Sequence, residues 1–180
     1  MFDSIININD NYFYMPFGPV VLDHKDLGLV RLGLTDIYVN KKNGQKWKKR
    51  LLYNTGWGRP YGFERMPELN FNDLLKLALQ SDYKSTKLSV KDEESNKYGA
   101  ISIIMEEHPE EFINFLYANL ENEDLYNNPI YRDNLKLFGL DDKFSNGNGG
   151  DANSTYEDVL NTYPKWKEIA IRVKQLVYRE

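Results

Sequence analysis

Two histidines, His24 and His108, are the side chains of this chain whose ordinary titration lies nearest neutral pH. His24 stands in Asp23-His24-Lys25-Asp26, where flanking carboxylates could orient an imidazole as a general base. A small hydrolase or carbohydrate-active enzyme built on His24 with Asp23, Asp26 or Glu64 is therefore the enzymatic alternative. A solvated loop ahead of a strand explains the same residues without chemistry, and it is the reading preferred. His108 precedes Pro109 and reads as a helix-start residue. Glu106 and Glu107, in Glu-Glu-His-Pro-Glu-Glu, supply paired carboxylates, which helix-end charge also accounts for.

Other chemistries are excluded by what the sequence lacks. There are no cysteines, so disulfides, thiolate metal sites and cysteine nucleophiles are ruled out. No GxSxG, GxxxxGK[ST], GxGxxG or HxxxH spacing occurs. The Asn/Gly-rich stretch 145–154 invites a calcium reading with Asn146 at the first loop position. It fails, because the required glycine is Asp151 and no carboxylate stands at the first or third position. No catalytic residue, metal ligand or cofactor is assigned, and the chain reads as non-enzymatic.

Binding has better candidates. "NTGWGRPYGF", residues 54–63, places Trp57, Arg59 and Tyr61 among glycines that let the backbone approach a partner closely. Trp, Tyr and Arg dominate protein–protein contact energies. "KKNGQKWKKR", residues 41–50, surrounds one tryptophan with six cations, a composition suited to nucleic acid. An overall pI near 5.3 argues against that use, as does the expectation that Trp47 points inward. Charge is unevenly divided: residues 1–90 carry 13 basic and 9 acidic side chains, and residues 91–180 carry 10 and 18. The acidic half, with Glu106, Glu107, Asp141 and Asp142, suits a basic protein partner. The function expected is a protein-binding domain, in its most concrete form a toxin-neutralising protein of the immunity or antitoxin type. The partner-binding residues are Trp57, Arg59, Tyr61, Glu106, Glu107, Asp141 and Asp142.

These residues need positioning elements. "GLVRLGLTDIYVN" (28–40) and "QKWKKRLLYN" (45–54) read as two strands joined at Lys-Lys-Asn-Gly. A three-residue loop, Lys42-Asn43-Gly44, would set Val39 opposite Trp47 and gather the charges on the other face, with Gly44 in the left-handed conformation. From residue 68 the period becomes helical. Asn70 or Asn72 caps 70–80, Ser89 and Asp92 suggest a capping box opening 89–108, and Tyr98, Ile101, Ile104 and Met105 form its apolar stripe. Pro109 starts a helix over 108–120, and Gly139 ends another over 128–139. Residues 155–163 and 164–180 read as two helices, the second burying Trp166, Ile169, Ala170, Val173, Leu176 and Val177.

Strands first and helices afterwards specify an α+β fold. An N-terminal antiparallel hairpin or sheet (28–54) is expected to pack with a C-terminal bundle of five to six helices (70–178). At 180 residues one domain is expected, β-rich over 1–67 and helical over 68–180, with a flexible loop at 145–154. The start of the chain lacks a basic apolar leader and no run spans a bilayer, so a cytoplasmic protein is expected.

Overall fold

A computed structural model describes residues 6–15, 22–52, 61–81, 93–137 and 156–177, without the side chains of 93, 94, 156–163 and 177. The fold is α+β. The chain divides into two compact units, Met1–Glu107 and His108–Glu180. The first holds five strands: β1 (Phe13–Tyr14), β2 (Leu29–Arg31), β3 (Ile37–Asn40), β4 (Lys46–Leu51) and β5 (Tyr61–Arg65). They form one sheet in the order β1-β5-β4-β3-β2, each neighbouring pair antiparallel.

Two features of the expected hairpin are corrected. Residues 28–40 are two strands, not one. Arg31 Nε donates to the Thr35 carbonyl at 2.7 Å, and Thr35 Oγ1 donates to the Leu32 carbonyl at 2.7 Å. These local bonds fold the chain back after β2. The loop between β3 and β4 has four residues, Lys41–Gly44, since Asn40 N donates to the Gln45 carbonyl at 2.9 Å. Trp47 therefore faces Tyr38, and Val39 faces Lys46. The asparagines explain the longer loop. Asn40 Oδ1 accepts from Lys42 N and Asn43 Oδ1 from Gln45 N, Asx turns that a three-residue loop would lose. Gly44 does take the left-handed conformation, at φ 73°.

Helices α1 (Phe71–Gln80) and α2 (Glu93–Glu107) complete the first unit. Asn70 caps α1, its Oδ1 accepting from Asp73 N at 3.0 Å. Leu74, Leu75, Leu77 and Leu79 are buried. Helix α2 packs against both α1 and β1. Its expected stripe is displaced: Ile104 is buried, but Tyr98, Ile101 and Met105 are only half-buried. Ala100 and Ile103 take the core positions, and Ser95, Asn96, Lys97 and Ser102 are also buried. The polar burial has a cause, because Asn96 Oδ1 accepts from the backbone of Tyr12 at 2.8 Å and Phe13 at 3.1 Å. Its Nδ2 donates to the Asp10 carbonyl at 2.7 Å. Six residues from the helix start, Gly99 lets the Phe13 side chain lie against the helix. A methyl there would fall 2.6 Å from Phe13 Cβ.

The second unit contains α3 (Pro109–Ala118), α4 (Glu123–Tyr126), α5 (Pro129–Leu137) and α6 (Tyr156–Val177). Helix α4 has no counterpart in the sequence reading. It is a single turn capped by Asn122, whose Oδ1 accepts from Leu125 N at 3.3 Å. Helix α6 runs through Pro164, where two helices were expected. The missing N–H removes one backbone bond, and packing of Trp166, Ile169, Ala170, Val173 and Leu176 against the unit's core sustains the helix beyond it. Phe112 meets Trp166 edge-on at 6.3 Å between ring centres.

Tyr126 and Tyr131 meet edge-on, both buried, and neither hydroxyl has a hydrogen-bond partner among the described residues. Burial pushes the Tyr126 hydroxyl up to about 12 and raises that of Tyr131 as well. A buried hydroxyl without a partner carries an uncompensated desolvation cost. Tyr131→Phe is accordingly expected to stabilise the protein by about 1 kcal/mol, read as a higher urea midpoint with an unchanged slope.

Candidate interaction surface

Side chains alternate across the sheet, and the register sorts them onto two unlike faces. One face is aromatic. Trp47 stacks on Tyr14 with ring centres 4.4 Å apart, and Tyr38 meets Phe63 edge-on at 5.0 Å. Leu27 and Leu29 join this cluster, with Leu22 packed against it. His24 lies on the same side, 5.1 Å from the Tyr38 ring, and its Nδ1 is 3.4 Å from Asp23 Oδ1. Glu64 follows Phe63 in β5 and so points to the opposite face. The sheet therefore separates His24 from Glu64.

The opposite face is divided along its width. Over β1 it is covered by α2, with Phe13 fully buried against Gly99, and in β5 Glu64 is buried as well. Here Arg50 bridges two carboxylates. Its Nη1 donates to Glu64 at 2.7 Å, and its Nη2 donates to Glu107 at the end of α2. Burial raises the Glu64 carboxyl above its ordinary range, and the Arg50 guanidinium pulls it partly back. Arg50 is held charged by the two carboxylates, against the cost of its own burial. Lys48 pairs with Glu68, and this bond lowers the Glu68 carboxyl. The arrangement is a structural tie between helix and sheet.

Over β2 and β3 the same face is open. Val30 lies opposite Val39, and Leu32 N donates to the Ile37 carbonyl at 2.8 Å. These four side chains form two adjacent apolar pairs. Val30 and Leu32 are exposed and Ile37 and Val39 are half-buried. Leu34, in the turn that follows, is 96% exposed. That turn lies at the end of the sheet where β4 finishes and β5 begins. Leu51 and Tyr61 face each other there, on the aromatic side of the sheet; Leu51 is exposed, and Tyr61 is 56% exposed.

The structure places the expected partner-binding residues unevenly. Tyr61 stands on the surface in β5, with Lys49 Nζ 4.4 Å from its ring centre. Trp57, Arg59, Asp141 and Asp142 lie outside the described residues, as does the 145–154 loop. Glu107 is exposed but engaged by Arg50, and Glu106 is its exposed neighbour in α2. Tyr61 and the two glutamates thus belong to different parts of the unit. Trp47 is 3% exposed and on the face opposite Lys46 and Lys48, so it offers no ring for a base. Among the described residues no cluster of three or more metal-ligating side chains occurs, and no helix is long and apolar enough to cross a membrane. Val30, Leu32, Leu34, Ile37 and Val39 were not anticipated as surface residues, because their spacing reads as the buried side of a strand. The signal that distinguishes them is Gly33 with Thr35, which end β2 early.

No protein-family model, curated protein or solved structure matches this chain.

Removing Arg50 would leave Glu64 buried with no cation. Arg50→Leu is expected to cost about 3–5 kcal/mol at neutral pH. Glu64 would then be raised further above its unfolded value of 4.5. A carboxyl raised in the folded state binds more protons there, so stability falls as pH rises through that interval. The deficit of the variant should therefore be smallest below pH 4.5 and grow toward neutrality, as measured by urea unfolding across the range.

Proposed function

We propose that this chain is a non-enzymatic protein-binding domain and that its sheet unit carries the contact surface. The observation supporting this reading is the set of exposed apolar side chains at one end of the sheet: Leu32 on one face, Leu51 and Tyr61 on the aromatic face, and Leu34 in the turn after β2. A leucine as exposed as Leu34 gains nothing from the fold it sits in, whereas burial against a partner would remove its apolar area from water. The stretch containing Trp57 and Arg59 leaves the sheet at Leu51–Leu52 and re-enters at Tyr61, so both ends of that segment adjoin this surface.

A more specific form is neutralisation of a toxin with a basic active site. It is supported by the excess of 18 acidic over 10 basic side chains in residues 91–180. Glu107 is tied to Arg50, so that form would draw on Glu121, Glu123, Asp141 and Asp142. Glu121 meets Arg172 at 3.3 Å while remaining exposed.

The test is affinity capture from the native organism's lysate with the wild type, with Leu34→Asp plus Tyr61→Ala, and with charge reversal at Glu121 and Glu123. The sheet variant is expected to lose the captured protein by about tenfold or more while its melting temperature stays unchanged. Loss on charge reversal as well would support the toxin-neutralising form. Full retention by the sheet variant would remove this end of the sheet as the contact surface.

A further inference from the structure

Building on the protein-binding reading, we propose that the open apolar half of the sheet, Val30, Leu32, Ile37 and Val39, seats an amphipathic helix of a partner protein bearing acidic residues along one flank. A sheet face with adjacent apolar pairs is stable when another element covers it. On this face α2 covers β1, and among the described residues no helix packs on β2 or β3.

The edge of β2 is unsuited to strand addition. Gly28 and Gly33 take φ values of 69° and 61°, left-handed backbone at both ends of a three-residue strand. An added strand would find extended backbone over those three residues alone, too few for the ladder that strand addition relies on. Recognition through side chains on the face remains, which is how an amphipathic helix docks.

The apolar pairs are bordered by β4, where Lys46 lies opposite Val39 and Lys48 opposite Ile37. Lys48 is engaged by Glu68. Lys46 is exposed, as are Lys41 and Lys42 in the adjoining loop, and none of the three meets a carboxylate among the described residues. Cations left unpaired beside an apolar strip favour a helix whose flank supplies Asp or Glu.

A displayed library of helical peptides, about four turns long and randomised at every position, would be selected against the full-length wild type. Enriched clones would then be titrated against Ile37→Asp and Lys46→Glu. The expected clones carry apolar residues at i, i+3 or i+4, and i+7 with acidic residues along one flank. Their affinity should fall at least about tenfold on Ile37→Asp and several-fold on Lys46→Glu. Lys46 is exposed, so that variant keeps the test valid should Ile37→Asp unfold. Clones without an acidic bias, clones binding both variants as well as the wild type, no enrichment, or concentration-dependent self-association burying Val30 and Leu32 would each overturn the proposal. A lysate partner lost on Leu34→Asp plus Tyr61→Ala but retained by Ile37→Asp would leave the protein-binding reading standing and remove the helix seat alone.

Discussion

Asn96 accepts the backbone N–H groups of Tyr12 and Phe13, Gly99 admits the Phe13 side chain, and Arg50 ties the last turn of α2 to Glu64. These contacts dock one helix onto one side of a sheet, and the rest of the first unit follows from them. β1 is only two residues long and has few ladder bonds of its own. Buried N–H groups at such a short strand must find acceptors elsewhere, and the amide of Asn96 provides them. The same side chain explains why polar residues of α2 are buried.

Docking α2 over β1 leaves the β2–β3 side of that face without a helix among the described residues. The aromatic face needs no further cover, because Tyr14, Tyr38, Trp47 and Phe63 pack among themselves and under the segment bearing Leu22 and Leu27. The apolar side chains of β2 and β3 that point the other way have no such cover. Their exposure is thus a consequence of helix placement. Charges follow the same division: where α2 covers the sheet, Arg50 is matched by Glu64 and Glu107, and at the open border Lys46 meets no carboxylate among the described residues.

Much of this architecture is legible in the chain. The α+β class, α1 with its Asn70 cap, α3 with Pro109 at its first position and the buried stripe of α6 all follow from period and capping chemistry. The misreadings have local causes. Placing Val39 opposite Trp47 weighed apolar pairing but not the Asx turns of Asn40 and Asn43, and the resulting shift of one residue exchanged the two faces of β3. Reading 28–40 as one strand missed the bonds that fold Arg31 and Thr35 together. Pro164 was taken as a stop, although Trp166, Ile169, Ala170, Val173 and Leu176 beyond it are buried as expected, the Val177 side chain lying outside the described residues. Of the exposed apolar side chains, Tyr61 was legible as an aromatic among glycines. Leu34 was not, because an alternating apolar run reads as core until its turn is recognised.

Part of one sheet face is open to solvent. Methyl relaxation by a soluble paramagnetic agent measures this directly, in protein labelled at Leu, Val and Ile methyl groups. Strong relaxation is expected for Leu34, Leu32 and Val30, intermediate values for Val39 and Ile37, and protection for Leu29, which is buried on the opposite face. Protection of Val30 and Leu32 equal to that of Leu29 would instead show that the face is covered.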